Sequence, residues 1–173
     1  MEKGGRRSVG VAVDFSPCSK AALRWASDNL LRDGDHLVLI HIQPSCQYEE
    51  GVMQLWEATG SPLIPPVEFS DPTVTKRYGI QADEETLDIL AAAAKQKGVQ
   101  VSAKIYWGCP GAKLCEAVED VPLSCLVIGS RGLNRFKRTF LGSVSNYVVS
   151  NAMCSVTVVK NIPSAHGYNS VEA

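Results

Sequence analysis

The chain has 173 residues, 45% hydrophobic and 20% charged, the balance of one globular domain with a proper core rather than of a disordered segment. With 17 Lys and Arg against 18 Asp and Glu the net charge is -1, so no global charge draws it to nucleic acid or to an anionic membrane. No apolar run approaches the roughly 20 residues a membrane span needs, and Met1 to Ser8 leads into a strand without a signal segment, so a cytoplasmic or also nuclear location is expected.

Ser8 to Asp14 (SVGVAVD) is a β-branched run ending at a polar tip and reads as the first strand. Ser16 followed by Pro17 is an N-cap and a first helical position, where proline loses no hydrogen bond and its φ is already set. The helix so opened runs to about Leu31, with Ala22, Trp25, Ala26 and Leu30 on one face, and Gly34 ends the region. His36 to Ile42 (HLVLIHI) is a nearly continuous apolar run, the pattern of a strand covered on both faces.

From Gln43 to about Ile80 the periodicity dissolves. Pro44, Pro62, Pro65, Pro66 and Pro72 interrupt it, and a long excursion with one short helix near Met53 to Glu57 is expected. Such a loop is either a lid or interaction segment, or a surface insertion without a role of its own.

Regularity returns near Gln81, where Leu87, Leu90, Ala91 and Ala94 make a helical face and Gly98 supplies a stop. Val99 to Tyr106 is a third strand, followed by a helix from about Gly111 to Glu119 with Leu114 and Val118 turned inward. Leu123 to Ile128 (LSCLVI) is a fourth strand, Ser143 to Asn151 a helix, and Ser155 to Lys160 (SVTVVK) a fifth strand; Asn161 to Ala173 reads as a loose polar tail.

This alternation predicts the α/β class: a single doubly wound, five-stranded parallel sheet with right-handed crossovers and helices on both faces. Ligands of such sheets bind beyond the carboxyl ends of strands where the winding reverses. Chemistry is therefore to be sought after Asp14, Ile42, Tyr106 and Ile128.

After the fourth strand the chain reads Gly129-Ser130-Arg131-Gly132, nine residues, then Gly142-Ser143. Gly129 and Gly132 leave the backbone uncrowded, so successive N–H groups can turn toward one anion. Gly142 and Ser143 open a helix whose first N–H groups and positive dipole end suit a phosphate, with Ser143 able to cap the helix or donate its hydroxyl. Arg131, Arg135, Lys137 and Arg138 lie in the stretch with no acid among them. The bland alternative is a tight strand-to-helix turn with a solvated basic surface; the conjunction at a strand tip favours an anion site.

Gly-x2-Gly-x9-Gly-Ser resembles the signature of the ATP-binding subgroup of universal stress proteins. The likeness extends to the strand ends Val13-Asp14-Phe15-Ser16 and His41-Ile42 and to Val156 to Lys160, covering about Ser8 to Lys160. The insertion at Gly60 to Pro65, with Trp56 before it, resembles plant members. The resemblance implies the adenine nucleotide alpha hydrolase-like fold in one domain, with its core at about 8–160, an insertion at about 43–80 and a tail at 161–173. It implies a site for ATP or another adenine nucleotide, with Ala12, Val13 and Asp14 at base and ribose and Ile42 at the adenine. Ile128 would stand at the fourth strand's end, and Gly129, Ser130 and Gly132 would hold ribose and the first phosphates beside Arg131. Gly142, Ser143, Val144 and Ser145 would take the outer phosphates, where Mg²⁺ could be held by phosphates, Ser143 and water. A homodimer paired through Ser155 to Lys160 is implied as well. By residue type alone, Asp14 is a turn or cap carboxylate and Ile42 a core residue. The chain departs from many relatives at Ser155, where they carry proline.

The six cysteines, Cys18, Cys46, Cys109, Cys115, Cys125 and Cys154, show no zinc spacing and read as free thiols, with redox sensing the alternative. His36, His41 and His166 form no constellation and receive no chemistry. No GxGxxG follows the first strand, and neither GxxxxGK[ST] nor GxSxG occurs, which removes dinucleotide dehydrogenases, P-loop NTPases and the common hydrolases. Three functions remain in view: a nucleotide-binding regulatory protein of the stress response, a slow ATPase or phosphotransferase, and a nucleotide-independent, redox-responsive chaperone.

Overall fold

The apolar runs pair as β1 (Ser8–Ala12), β2 (His36–Gln43), β3 (Gln100–Trp107), β4 (Cys125–Ser130) and β5 (Ser155–Lys160). Between them run helices α1 (Pro17–Asn29), α2 (Pro72–Tyr78), α3 (Glu84–Lys97), α4 (Pro110–Asp120) and α5 (Ser143–Asn151), and a short 3₁₀ turn over Pro66–Ser70. The computed structural model describes residues 5–43, 56, 58–80, 83–130 and 142–160. All five strands are parallel, in the order β3-β2-β1-β4-β5. The chain winds outward from β1 to β3, then crosses back to lay β4 on the other side of β1, so the winding reverses between β1 and β4.

Both faces of the sheet are covered. Val9, Val11, Leu37, Leu39, Val101 and Ala103 pack against Ala22, Leu23 and Ala26 of α1 and Leu90 and Ala93 of α3. Val38, Ile40, Leu126 and Ile128 pack on the opposite side against Leu114, Ala117 and Val118 of α4 and Val148 of α5. Alternate residues of each strand thus serve different layers, and this is why the strands read as continuous apolar runs.

The local stop and start signals act as their residue types predict. Ser16 caps α1 by accepting from the Ser19 N–H, with Pro17 in the first turn, and Gly98 closes α3 at φ 63°. The buried face of α3 differs from the expected one: Thr86, Leu90 and Ala93 are buried, while Ala91 and Ala94 are exposed. Alanine is apolar enough to fit either face, so periodicity did not resolve the rotation of this helix.

The described part of the excursion between β2 and α3, residues 58–80, is more ordered than its prolines suggest. Ile64 makes an antiparallel bridge with Ala103, its N–H and C=O each 2.8 Å from their partners, and the Ser61 N–H donates to the Ile105 carbonyl. This segment therefore covers the outer edge of β3. Trp56 stacks on Trp107 at 6.1 Å and meets Tyr78 at 5.1 Å, pinning the excursion to the sheet. Trp56, Ala58 and Thr59 are helical; Met53 and Glu57, between which a helix was expected, lie outside the described residues, as does the tail from Asn161.

Candidate functional site

β1 ends at Ala12, two residues before the expected tip. The Val13 N–H still donates to the Ile40 carbonyl at 2.9 Å, but Asp14 leaves the sheet and Phe15 takes a left-handed conformation at φ 62°. That reversal throws the chain directly into α1. Asp14 Oδ1 accepts the Ser16 N–H at 3.0 Å, and its own N–H donates to Ser19 Oγ at 3.3 Å, so Asp14 is the carboxylate of this turn and also stands exposed at the rim of a cleft.

The cleft opens where β1 and β4 part, with a volume of about 400 Å³. Ala12, Val13, Asp14, Ile40, Ile42, Ile128 and Gly129 form its strand-tip wall. Gly142, Ser143, Val144 and Ser145 form the facing wall at the start of α5. Gly142 is the N-cap of α5 and makes no side-chain cap bond, so among the described residues the first N–H groups of this helix have no cap from that position. A Cβ on Gly142 would meet nothing within 4 Å, so the space around this position is open.

Most of this wall is formed by residues singled out in the sequence. Ser130 differs: it is buried at the last position of β4 and does not line the cleft. Arg131 and Gly132, with Arg135, Lys137 and Arg138, lie outside the described residues. Gly129 has a different reason for being glycine than an uncrowded anion nest, since a Cβ there would lie 2.6 Å from the Cys18 carbonyl oxygen. Ser16, the N-cap of α1, with Cys18 and Ser19 of α1 and Pro110 and Leu114 of α4, also lines the cleft and was not singled out in the sequence as a site residue. The signal for the last two was available, because Pro110 follows a strand end where a ligand crevice is expected.

Backbone polarity gives the cleft a reading edge. Gly108 donates to the Gln43 carbonyl, so Gln43 and His41 bond toward β3, whereas Ile40, which accepts from Val13, and Ile42 face the β1 side. Beyond Val13 the first strand has departed, and the N–H and C=O of Ile42 face the cleft. His41 sits just below, its Nδ1–H donating to the Val13 carbonyl at 2.7 Å and its ring 5.0 Å from that of Phe15. Burial lowers the His41 pKa below its usual value, against the weaker pull of the Val13 carbonyl and Asp14, so the ring is neutral at neutral pH.

Cys109, Cys115, Cys125 and Cys154 are free thiols. Burial pushes those of Cys115, Cys125 and Cys154 up, which keeps them protonated and slow to react. No group of His, Cys, Asp and Glu among the described residues could hold a metal ion by itself.

The sequence model of the universal stress protein family matches residues 5–160. Universal stress protein PHOS32 of Arabidopsis thaliana is 34% identical over 170 residues, which span 91% of this chain and 66% of that protein. Universal stress protein PHOS34 of the same plant is 33% identical over 171 residues, spanning 91% and 63%. The chain thus covers just under two thirds of the length of these two relatives. Among solved structures, hypothetical protein MJ0577 superposes with a TM-score of 0.60 at 20% identity, over 91% of this chain and 98% of that one. A universal stress protein family protein from Arabidopsis thaliana with AMP bound gives 0.57 at 22% identity, over 94% and 97%. A universal stress protein in complex with cAMP gives 0.56 at 20% identity, over 88% and 96%. At these identities the structures establish the fold.

Proposed function

The chain belongs to the universal stress protein family, and from that premise we propose that it binds ATP or another adenine nucleotide in the cleft between β1 and β4. We propose further that it acts as a nucleotide-dependent regulatory protein of the stress response rather than as a rapid catalyst. The observation that carries this reading is the pairing of two features across one cleft of about 400 Å³: the Ile42 backbone edge on one wall and the N-terminus of α5 on the other. An N–H beside a C=O matches the acceptor and donor that adenine presents along its pairing edge, and guanine presents the reverse. The first N–H groups of α5 and the Ser143 hydroxyl suit phosphate oxygens. The AMP and cAMP bound by proteins of the same fold support the class of ligand.

In this reading Ala12, Val13 and Asp14 lie at base and ribose, Ile42 and Ile128 flank the base, and Gly129 sits at the strand end toward the first phosphates; Arg131 and Gly132 are proposed to bind these phosphates as well. Gly142, Ser143, Val144 and Ser145 receive the outer phosphates. Mg²⁺ would be held by phosphate oxygens, Ser143 and water. The test is to denature freshly purified protein and identify any released nucleotide by ion exchange, with calorimetric titration of ATP, ADP and AMP alongside. An adenine nucleotide at stoichiometric amount is expected. No released nucleotide together with no binding heat from any of the three rejects the proposal.

We also infer a homodimer through β5. The β3 edge of the sheet is covered by Ser61 to Ile64, whereas β5, at the opposite edge, is only half-buried from Val156 to Val159. Met153, just before it, is 80% exposed. Among the described residues nothing pairs with this edge, and a β-branched edge of that kind is a template for pairing with a second copy. No described helix is long and apolar enough to cross a membrane, and a cytoplasmic or nuclear location accompanies the proposal.

A further inference from the structure

In a regular parallel ladder the Val13 carbonyl would accept from the Ile42 N–H, the next bond after Val13 N–H to Ile40 C=O. Among the described residues that bond is not made. The carbonyl accepts from His41 Nδ1 at 2.7 Å instead. A carbonyl can only accept, so Nδ1 carries the hydrogen and the neutral ring is in one defined tautomer. The same ring lies 5.0 Å from Phe15, tilted by 41°, and Phe15 holds the left-handed conformation that turns Asp14 out of the sheet. A non-glycine residue in that conformation persists only where its surroundings over-determine it. Phe15 packs against the core cluster of the α1 and α3 face, and His41 shares with it a small apolar recess lined by Leu87, Leu90 and Ile105.

We infer that His41 is a positioning residue for base recognition. It withdraws the Val13 carbonyl from the ladder and seats Phe15, and so keeps the Ile42 N–H and C=O open to the base. The inference rests on the nucleotide-binding reading and deepens it, because it assigns the choice of adenine over guanine to a side chain that need not touch the nucleotide.

Two measurements test it. The first is amide hydrogen exchange of the unmodified protein, resolved at single residues. The Ile42 amide should exchange much faster than that of Ile40 in the free protein, and should slow with ATP but not with GTP. Protection of Ile42 equal to that of Ile40 in the free protein overturns the inference. The second is calorimetric binding of ATP and GTP to H41N and H41L. The asparagine amide can place a donor where Nδ1 stands, so H41N should keep the preference for ATP. H41L should lose about tenfold in ATP affinity, the scale of one hydrogen bond, and approach the affinity for GTP. Equal loss in both variants, or none in either, overturns the role of His41. If H41L does not fold, the exchange experiment and H41N decide. Failure of the unmodified protein to bind any adenine nucleotide overturns the functional reading, and with it this inference, whereas normal binding with unaltered selectivity in H41L overturns this inference alone.

Discussion

A Cβ on residue 129 would lie 2.6 Å from the carbonyl oxygen of Cys18, so β4 and the first turn of α1 meet backbone to backbone at Gly129. This contact draws the start of α1 against the strand tips and shapes one wall of the cleft.

Gly129 and Gly142 should therefore respond differently to substitution. Gly129→Ala forces two backbones apart and should cost about 1–3 kcal/mol of stability, the usual scale of overpacking. Gly142 faces open space, so Gly142→Glu should leave the thermal midpoint and circular dichroism unchanged. Its side chain and charge would occupy the path of phosphate, and ATP binding should vanish from the titration, a loss of about 8 kcal/mol for a micromolar site. Unchanged ATP affinity in a folded Gly142→Glu variant removes the proposed site, and an unshifted midpoint for Gly129→Ala contradicts the contact.

Hydrolysis of ATP should be slow. Phosphoryl transfer needs charge neutralisation and a group that orients the attacking water. No Asp, Glu, His or Gln occurs between Gly129 and Ser145, and Asp14, the carboxylate on the cleft wall, already accepts from the Ser16 N–H. Cradling the ground state gives little acceleration. Single-turnover hydrolysis with protein in excess should run far below about 1 s⁻¹, the lower end for enzymes. A rate near that value, abolished by Ser143→Ala, would show a catalyst.

The proposed dimer should depend on β5. Thr157→Pro introduces a residue without an N–H into the edge strand and should give monomers with the sheet otherwise retained. Light scattering at tens of micromolar checks this, a rough working range for an interface of about 800 Å² a side. A monomeric unmodified protein at that concentration rejects the assembly.

Acid should weaken the fold in two windows. Burial lowers the pKa of His36, with Arg6 adding to it, and burial lowers that of His41, so both sit below the usual 6.5. The unfolded chain therefore takes up protons first as the pH falls below about 6.5, and stability declines there. The second window belongs to Asp83 and Asp35. Burial opposes their charge, but hydrogen bonds from Lys20 and Thr86 outweigh it at Asp83, whose pKa falls to about 2, and Arg7 with the Arg32 N–H outweighs it at Asp35. Both contributions are complete above the unfolded value of 3.8; that of Asp83 is lost as the pH drops from there toward about 2, and that of Asp35 is lost as the pH falls below 3.8 through its own lowered pKa. Urea midpoints at about pH 7, 5 and 3 should fall in order. Asp83 also caps α3, so Asp83→Ala should cost about 1 kcal/mol at neutral pH and shrink the acid step. A midpoint that does not change between about pH 7 and 5 refutes the histidine part.

Most of what the sequence alone determined rests on interactions a few residues long. Ser16 with Pro17 announced α1 because a cap bonds three residues ahead, and Gly98 announced the end of α3 because only a few residue types take a left-handed cap. The alternation of runs yielded the parallel sheet, and the spacing of Gly142-Ser143 after Gly129 marked both walls of the cleft. Only the tertiary structure decided the rest, where the deciding contact joins residues far apart in the chain. Whether α3 buries Ala93 or Ala94 depends on the sheet beneath it, not on its own period. Ile64 reads as part of a proline-broken loop until Ala103 offers it an unpaired edge. Gly129 reads as a flexible turn until Cys18 arrives from the other end of the chain, and His41 reads as a scattered histidine until the end of β1 leaves it the Val13 carbonyl. Hydrogen bonds and close packing depend on which surfaces meet, and that is settled only when the strands take their order.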